Sequence, residues 1–284
     1  NQGLEFDIHG DFIRKKDFRW TGNLNISRNV SKVLDINGGP FSDPNDRDAM
    51  NLGTSVVKEG EPLGLLYGRV ATGIIKTQAQ LEAAREEFSL WTIFDPYLNL
   101  GDIAYEYEDG FWKEDVIGHA TPDFFGGYTN TINWNRFTLT ALFTFSYGND
   151  LIYQKDVSDS GMSSLANRGT RVLNHYSEDN TSSNRPRSMW ATTYMLSSLN
   201  VYDASYLKLK TLSLSYNLPE SICRKVRIKS ASVYGTATNV FTITSYPGPD
   251  PEVSDDPTSV IGGGRDVSTY PTVKSYTFGI RINF

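Results

Sequence analysis

Short and long connections alternate without exception along this chain, between seven segments that read as β-strands. The segments lie near 2–14, 17–30, 122–134, 137–153, 203–217, 226–242 and 272–284. Arg14–Asp17, Asn133–Arg136 and Asn217–Lys225 are short, whereas about 31–121, 154–202 and 243–271 are long excursions. Transmembrane barrels keep short turns at one end and long loops at the other. A soluble sandwich has no reason to do so.

The strands carry the period-2 pattern that such a wall needs. Phe137, Leu139, Ala141, Phe143, Phe145 and Tyr147 fall on one face, with Thr138, Thr140, Leu142, Thr144 and Ser146 on the other. The pattern returns at Tyr276, Phe278, Ile280, Ile282 and Phe284. Strands of nine to eleven residues with one apolar face are long enough to cross a bilayer at a tilt. In 205–216 the apolar positions change phase, which predicts a bulge near Lys210–Thr211. The segment 61–76 has room for a further strand or two, and Thr77–Phe88 reads as a helix capped by Thr77.

Composition narrows the functional classes. Net charge is −6, which removes nucleic-acid binding through a broadly basic surface. The single cysteine, Cys223, excludes an internal disulfide and any paired-cysteine motif. No stretch is long and apolar enough for a membrane helix. Aromatic residues make up 13% of the chain and gather near strand ends, among them Phe18, Trp20, Trp134, Phe137, Tyr147 and Tyr216. Rings there fit the girdles of a barrel, or the core of a β-protein. Catalytic signatures are missing, the three histidines are scattered, and Gly262–Gly264 does not join a strand to a helix. Asp250, Glu252, Asp255 and Asp256 sit in a Pro- and Gly-rich setting that offers no platform for a glycosidase pair. The expectation is therefore a protein that is not an enzyme.

Ordered motifs then point to a family. Asn1-Gln2-Gly3-Leu4-Glu5, Glu59–Gly64, Tyr67-Gly68 and Thr72–Ile74 resemble a series found in TonB-dependent transporters of the SusC/RagA type. So do Leu100–Tyr105, Val116–Gly118 with Pro122–Gly127, Asn184–Arg187, Asp203–Lys210, Thr238–Phe241 and Tyr246–Glu252. The resemblance implies an all-β fold, about the last seven strands of a 22-stranded barrel, with residues 1–284 forming its C-terminal part. The plug, the N-terminal strands and the segment that meets TonB would lie outside this sequence. The first and last residues already read as strand, in keeping with a part of something larger.

The same resemblance implies import of oligosaccharides or peptides across a Gram-negative outer membrane. The implied partners are a SusD-like surface lipoprotein, the TonB complex and outer-membrane lipid, with no nucleic acid. Thr277, Gly279, Ile282 and Phe284 are similar to a terminal barrel-insertion signal. The long loops 31–121, 154–202 and 243–271 would face outward. Within them, Trp91, Trp112, Trp190 and Tyr202 are candidates to stack on a glycan, and Arg185 and Arg187 to pair with peptide carboxylates; packing within the loops is the competing role for each. The family's calcium-type acidic run is shortened here, leaving Asp102, Asp109 and Asp115 as weak candidates. The expectation is a solvated loop and no cofactor. Two other readings stay open: a self-contained porin of twelve to fourteen strands, and a soluble carbohydrate-binding sandwich.

Overall fold

The computed structural model describes residues 1–36, 49–87, 98–161, 167–188, 195–256, 258–259, 261 and 263–284. Seven long strands form one antiparallel sheet in chain order: β1 (Gln2–Lys15), β2 (Phe18–Val30), β3 (Phe124–Trp134), β4 (Phe137–Tyr147), β5 (Tyr206–Asn217), β6 (Ser230–Thr244) and β7 (Ser275–Asn283). Every neighbour pair is a sequential one. This is the up-and-down order of a barrel wall, and the seven-strand expectation holds.

Register turns the alternation of each strand into two continuous faces. One row crosses the wall as Ile13, Trp20, Ile132, Leu139, Leu214, Gly235 and Phe278. The neighbouring row on the opposite face reads Asp11, Thr21, Thr131, Thr140, Ser213, Thr236 and Thr277. A one-residue slip anywhere would exchange the faces. Phe6, Ile8, Trp134, Leu214, Val233, Ile243, Phe278 and Ile280 are all exposed. A sandwich would bury that face under a second sheet.

The phase change in β5 is resolved as expected. Toward β4 the ladder passes from Thr211–Leu142 to Leu209–Phe143, so Lys210 is the extra residue there, while toward β6 Lys210 faces both Asn239 and Val240. Were Lys210 paired as in a regular ladder, Leu207 and Leu209 would turn onto the polar face. Opposite, Asn239 takes a left-handed φ of 51° to close the irregularity.

Four strand limits differ by three residues or more from the sequence expectation; the seventh strand begins at Ser275 instead of 272. The fourth strand stops at Tyr147 instead of running to 153, because Gly148 has a φ of +84°. Residues Asp150–Tyr153 then join a separate sheet with Val201–Asp203 and Arg265–Asp266. The fifth begins at Tyr206. The sixth begins at Ser230: Glu220–Lys225 forms a short helix that buries Cys223, and Arg227, with a φ of 58°, turns the chain after it. The expected helix is present as Gln78–Glu87, with Thr77 Oγ1 accepting from the Gln80 amide at 3.2 Å.

The long connections carry their own small cores. Ala49–Asn51, Ser55–Lys58, Leu65–Arg69 and Glu114–His119 make a four-stranded sheet that buries Leu65 and Leu66. Ala71–Ile74 pairs with Ile103–Tyr105. The strands expected within 61–76 are therefore there, but they belong to the connection and not to the wall. A cross-link ties separate connections: Ser198 Oγ donates to the Ala71 carbonyl at 3.0 Å and accepts from its amide at 3.0 Å.

Candidate functional site: a braced cleft on the polar face

The third long connection folds back over the polar face of β5. Lys208 puts its ammonium between Asp250 at 2.9 Å and Glu252, with only 2% of its side chain exposed. Lys210, displaced to this side by the bulge, holds Glu252 at 2.7 Å. Tyr206 donates to Glu252 Oε1 at 3.0 Å, and Thr272 donates to Asp250. Burial pushes both carboxylates up, but the donors outweigh it and hold Asp250 and Glu252 below their ordinary range. Farther out, Tyr246 donates to the fully buried Asp266 at 2.8 Å, and burial with that bond drives its phenol strongly upward.

Beside this brace lies a cleft of about 670 Å³. The wall contributes Phe125, Ser146 and Tyr206; the connections contribute Thr121, Glu252 and Ser254. Phe125 pairs with Ser146 and Ser27 on the polar face and is 39% exposed. The cleft thus offers an aromatic ring among hydroxyls and a carboxylate. The sequence offers Phe125 as a strand-end aromatic and Lys208 as part of the Asp203–Lys210 motif, and neither as a site residue; a lysine in the polar row of a wall strand was the available signal.

The residues expected to contact ligand fall elsewhere in the connections. Arg187 grips Asp102 in a two-point pair, 2.7 Å from Nε and 3.1 Å from Nη2. Arg185 meets the buried Asp156 at 2.5 Å, and Tyr202 donates to the same carboxylate at 2.6 Å. Arg171 lies 5.3 Å over the Tyr202 ring. Trp112 carries the Arg69 guanidinium 4.3 Å over its ring and stands edge-on to Tyr105. Each of these side chains is engaged within the chain. Trp91 and Trp190 lie outside the described residues.

Burial, then the bond to Asp156, pushes Tyr202 up to about 12. An ordinary tyrosine titrates near 10, so this bond's contribution to stability is whole below about pH 10 and is lost as pH rises through 12. Alkaline absorbance titration should show a phenol phase near pH 12 that Tyr202→Phe removes, while Tyr246 ionises later still and remains.

The acidic run is a hairpin. Asp109 and Gly110, with φ of 51° and 82°, form its turn between Tyr107–Glu108 and Phe111–Trp112. Asp102 is taken by Arg187, and Asp115 accepts from the Val116 amide at 2.7 Å. Among the described residues no three Asp, Glu, His or Cys side chains gather as a metal group. At the C-terminal strand, Thr277 and Gly279 lie on the polar face, while Ile282 continues the apolar face toward Phe284. A Cβ on Gly279 would lie 2.5 Å from the Tyr234 ring, so glycine there admits the aromatic side chain.

An antiparallel wall, apolar on one side and polar on the other, with every long connection at one end, defines the barrel-wall class of membrane β-proteins. The particular relatives sharpen this. The chain is 31% identical over 291 residues to TonB-dependent receptor P3 of Formosa agariphila, aligning along its whole length with 28% of that protein. It is 27% identical to TonB-dependent receptor P26 of the same organism and 23% identical to TonB-dependent receptor SusC of Bacteroides thetaiotaomicron, again over the whole chain. No family model matches. Among solved structures, the RagAB peptide transporter superposes with a TM-score of 0.74 at 23% identity, covering 99% of this chain and 29% of that one. Along its whole length the chain is similar to a stretch of TonB-dependent receptors, SusC among them, and it shares the barrel-wall fold of the RagAB transporter. It spans little more than a quarter of the length of the curated relatives it matches.

Proposed function

We propose that this chain forms part of the wall and outer cap of a TonB-dependent importer in a Gram-negative outer membrane. With a SusD-like lipoprotein as lid, the importer takes up oligosaccharides or peptides. The carrying observation is the wall itself: one predominantly apolar face, and a polar face with a braced cleft beneath the long connections. Whole-chain likeness to TonB-dependent receptors supports the mode of transport, and RagAB supplies the precedent for peptides. Phe125 would pack on a sugar or side-chain face, and the hydroxyls of Thr121, Ser146 and Ser254 would bond to it. Thr277, Gly279, Ile282 and Phe284 serve as the insertion signal. Energy coupling falls to parts of the protein beyond this chain.

Deleting the encoding gene should abolish growth on one class of oligomeric nutrient while growth on its monomers continues. Loss of TonB should do the same. Uptake that survives without TonB would identify a diffusion pore instead.

A further inference from the structure

We infer that the short-connection rim of the wall is a binding surface for anionic phospholipid headgroups; this rests on the membrane-spanning reading above. The chain's charge is sharply segregated. Residues 14–19, 135–136 and 218–229 hold nine of its 27 lysines and arginines but two of its 33 acidic residues. The remainder of the chain therefore has 18 basic residues against 31 acidic ones. An overall charge of −6 conceals a positive rim.

All nine cations are exposed. Arg19 pairs with Asp11 at 2.9 Å and Arg224 with Glu220 at 3.1 Å. The other seven form no ion pair among the described residues. Backbone bonds join the three connections into one edge: Asn135 donates to Asp17 and Asn217 to Arg136, each at 2.9 Å, and Lys229 donates to Asn283 at 2.9 Å.

The rim adjoins the apolar face, which distinguishes a lipid from a soluble acidic partner. Phe18, Trp134, Phe137 and Tyr216 make one aromatic row immediately inside it, with Phe137 and Tyr216 centroids 4.7 Å apart. Lys15 stands opposite Phe18 on that same face. Aromatic rings settle at the boundary of the hydrocarbon, and lysine stems reach past them to place their charge among phosphates. A periplasmic acidic protein would need the charge without this apolar continuation. Phosphate-bearing lipids of the leaflet that meets the short turns match both features.

The test uses the full-length protein that contains this chain, purified in detergent and inserted into vesicles. Native mass spectrometry would count retained phosphatidylglycerol against phosphatidylcholine. We expect a preference for phosphatidylglycerol that falls about tenfold or more when Lys15, Lys16, Arg136, Arg227 and Lys229 are all changed to Gln. Changing Arg28, Lys32 and Lys274 to Gln, at the long-connection end, should leave it intact. Equal retention of the two lipids, or an unchanged preference in the five-site variant, would overturn the inference. So would tighter binding of soluble polyglutamate than of phosphatidylglycerol. Insertion is scored separately by the heat-dependent gel shift of a folded barrel. Insertion without lipid preference defeats only the rim proposal, whereas failure to insert into any vesicle defeats the membrane-spanning reading and this proposal together.

Discussion

Leu212→Arg is expected to destabilise the inserted protein by roughly 2–4 kcal/mol, the cost of a guanidinium facing lipid near the bilayer midplane. Leu212 stands midway along the wall, in the apolar row between Ala141 and Ala237. Ser215→Arg, on the opposite face of the same strand, should cost well under half of that, because its charge remains in water. The pair differs by position and not by chemistry. A urea titration of the vesicle-inserted protein gives both numbers. Equal costs for the two variants would mean that the two faces see the same solvent, which a barrel wall does not permit.

The second large effect belongs to Lys208. Lys208→Met leaves Asp250 without its cation and Glu252 with Lys210 alone, in a site where the Asp250 side chain is 4% exposed. Removing one partner of a buried ion pair costs about 3–5 kcal/mol, since the remaining charge stays desolvated. The loss should fall on the third connection: residues 245–274 become open to protease while the wall persists. Changing Asp250→Asn and Glu252→Gln in the same chain should restore part of the protection.

Acid provides an independent check on the same brace. Both carboxylates are held below their ordinary values, so their contribution is present above about pH 4 and is lost as pH falls through their folded values. The wild-type connection should therefore open to pepsin only in that acidic window. In the Lys208→Met chain it should already be open at neutral pH.

The wall was legible in the sequence because its information is local. Each strand states its two faces through alternation, and the Leu209-to-Leu212 phase change places the bulge without a neighbour. Gly148 shows where that logic ends. Residues 150–153 continue the apolar alternation of β4, yet a left-handed glycine turns them into another sheet. Periodicity carries no signal for a change of sheet. Likewise Arg227 takes a left-handed φ of 58°, a turn that the apolar pattern does not display, and the sixth strand begins only at Ser230.

The site was far less legible, for a reason of distance. Lys208 and Asp250 are 42 residues apart and meet only after β5 and β6 have paired and the chain has folded back. Asp250 and Glu252 drew notice as carboxylates, but the lysines that hold them could be assigned only from the register. Arg185 and Arg187 were legible as anion partners; that their anions are Asp156 and Asp102 of the same chain was not. The exposed apolar face needs no such partner, which is why the sequence displays it openly.

In the inserted protein the apolar face is expected to meet lipid and the polar face water. Single cysteines at Leu212, Leu214 and Phe278, and at Ser213, Ser215 and Thr277, in a Cys223→Ser background of the full-length protein, can each carry an environment-sensitive fluorophore. A quencher attached to lipid chains should quench the first three and spare the second three, and a water-soluble quencher should do the reverse. Equal quenching of both sets, or quenching of the first set by the aqueous reagent, would contradict the account.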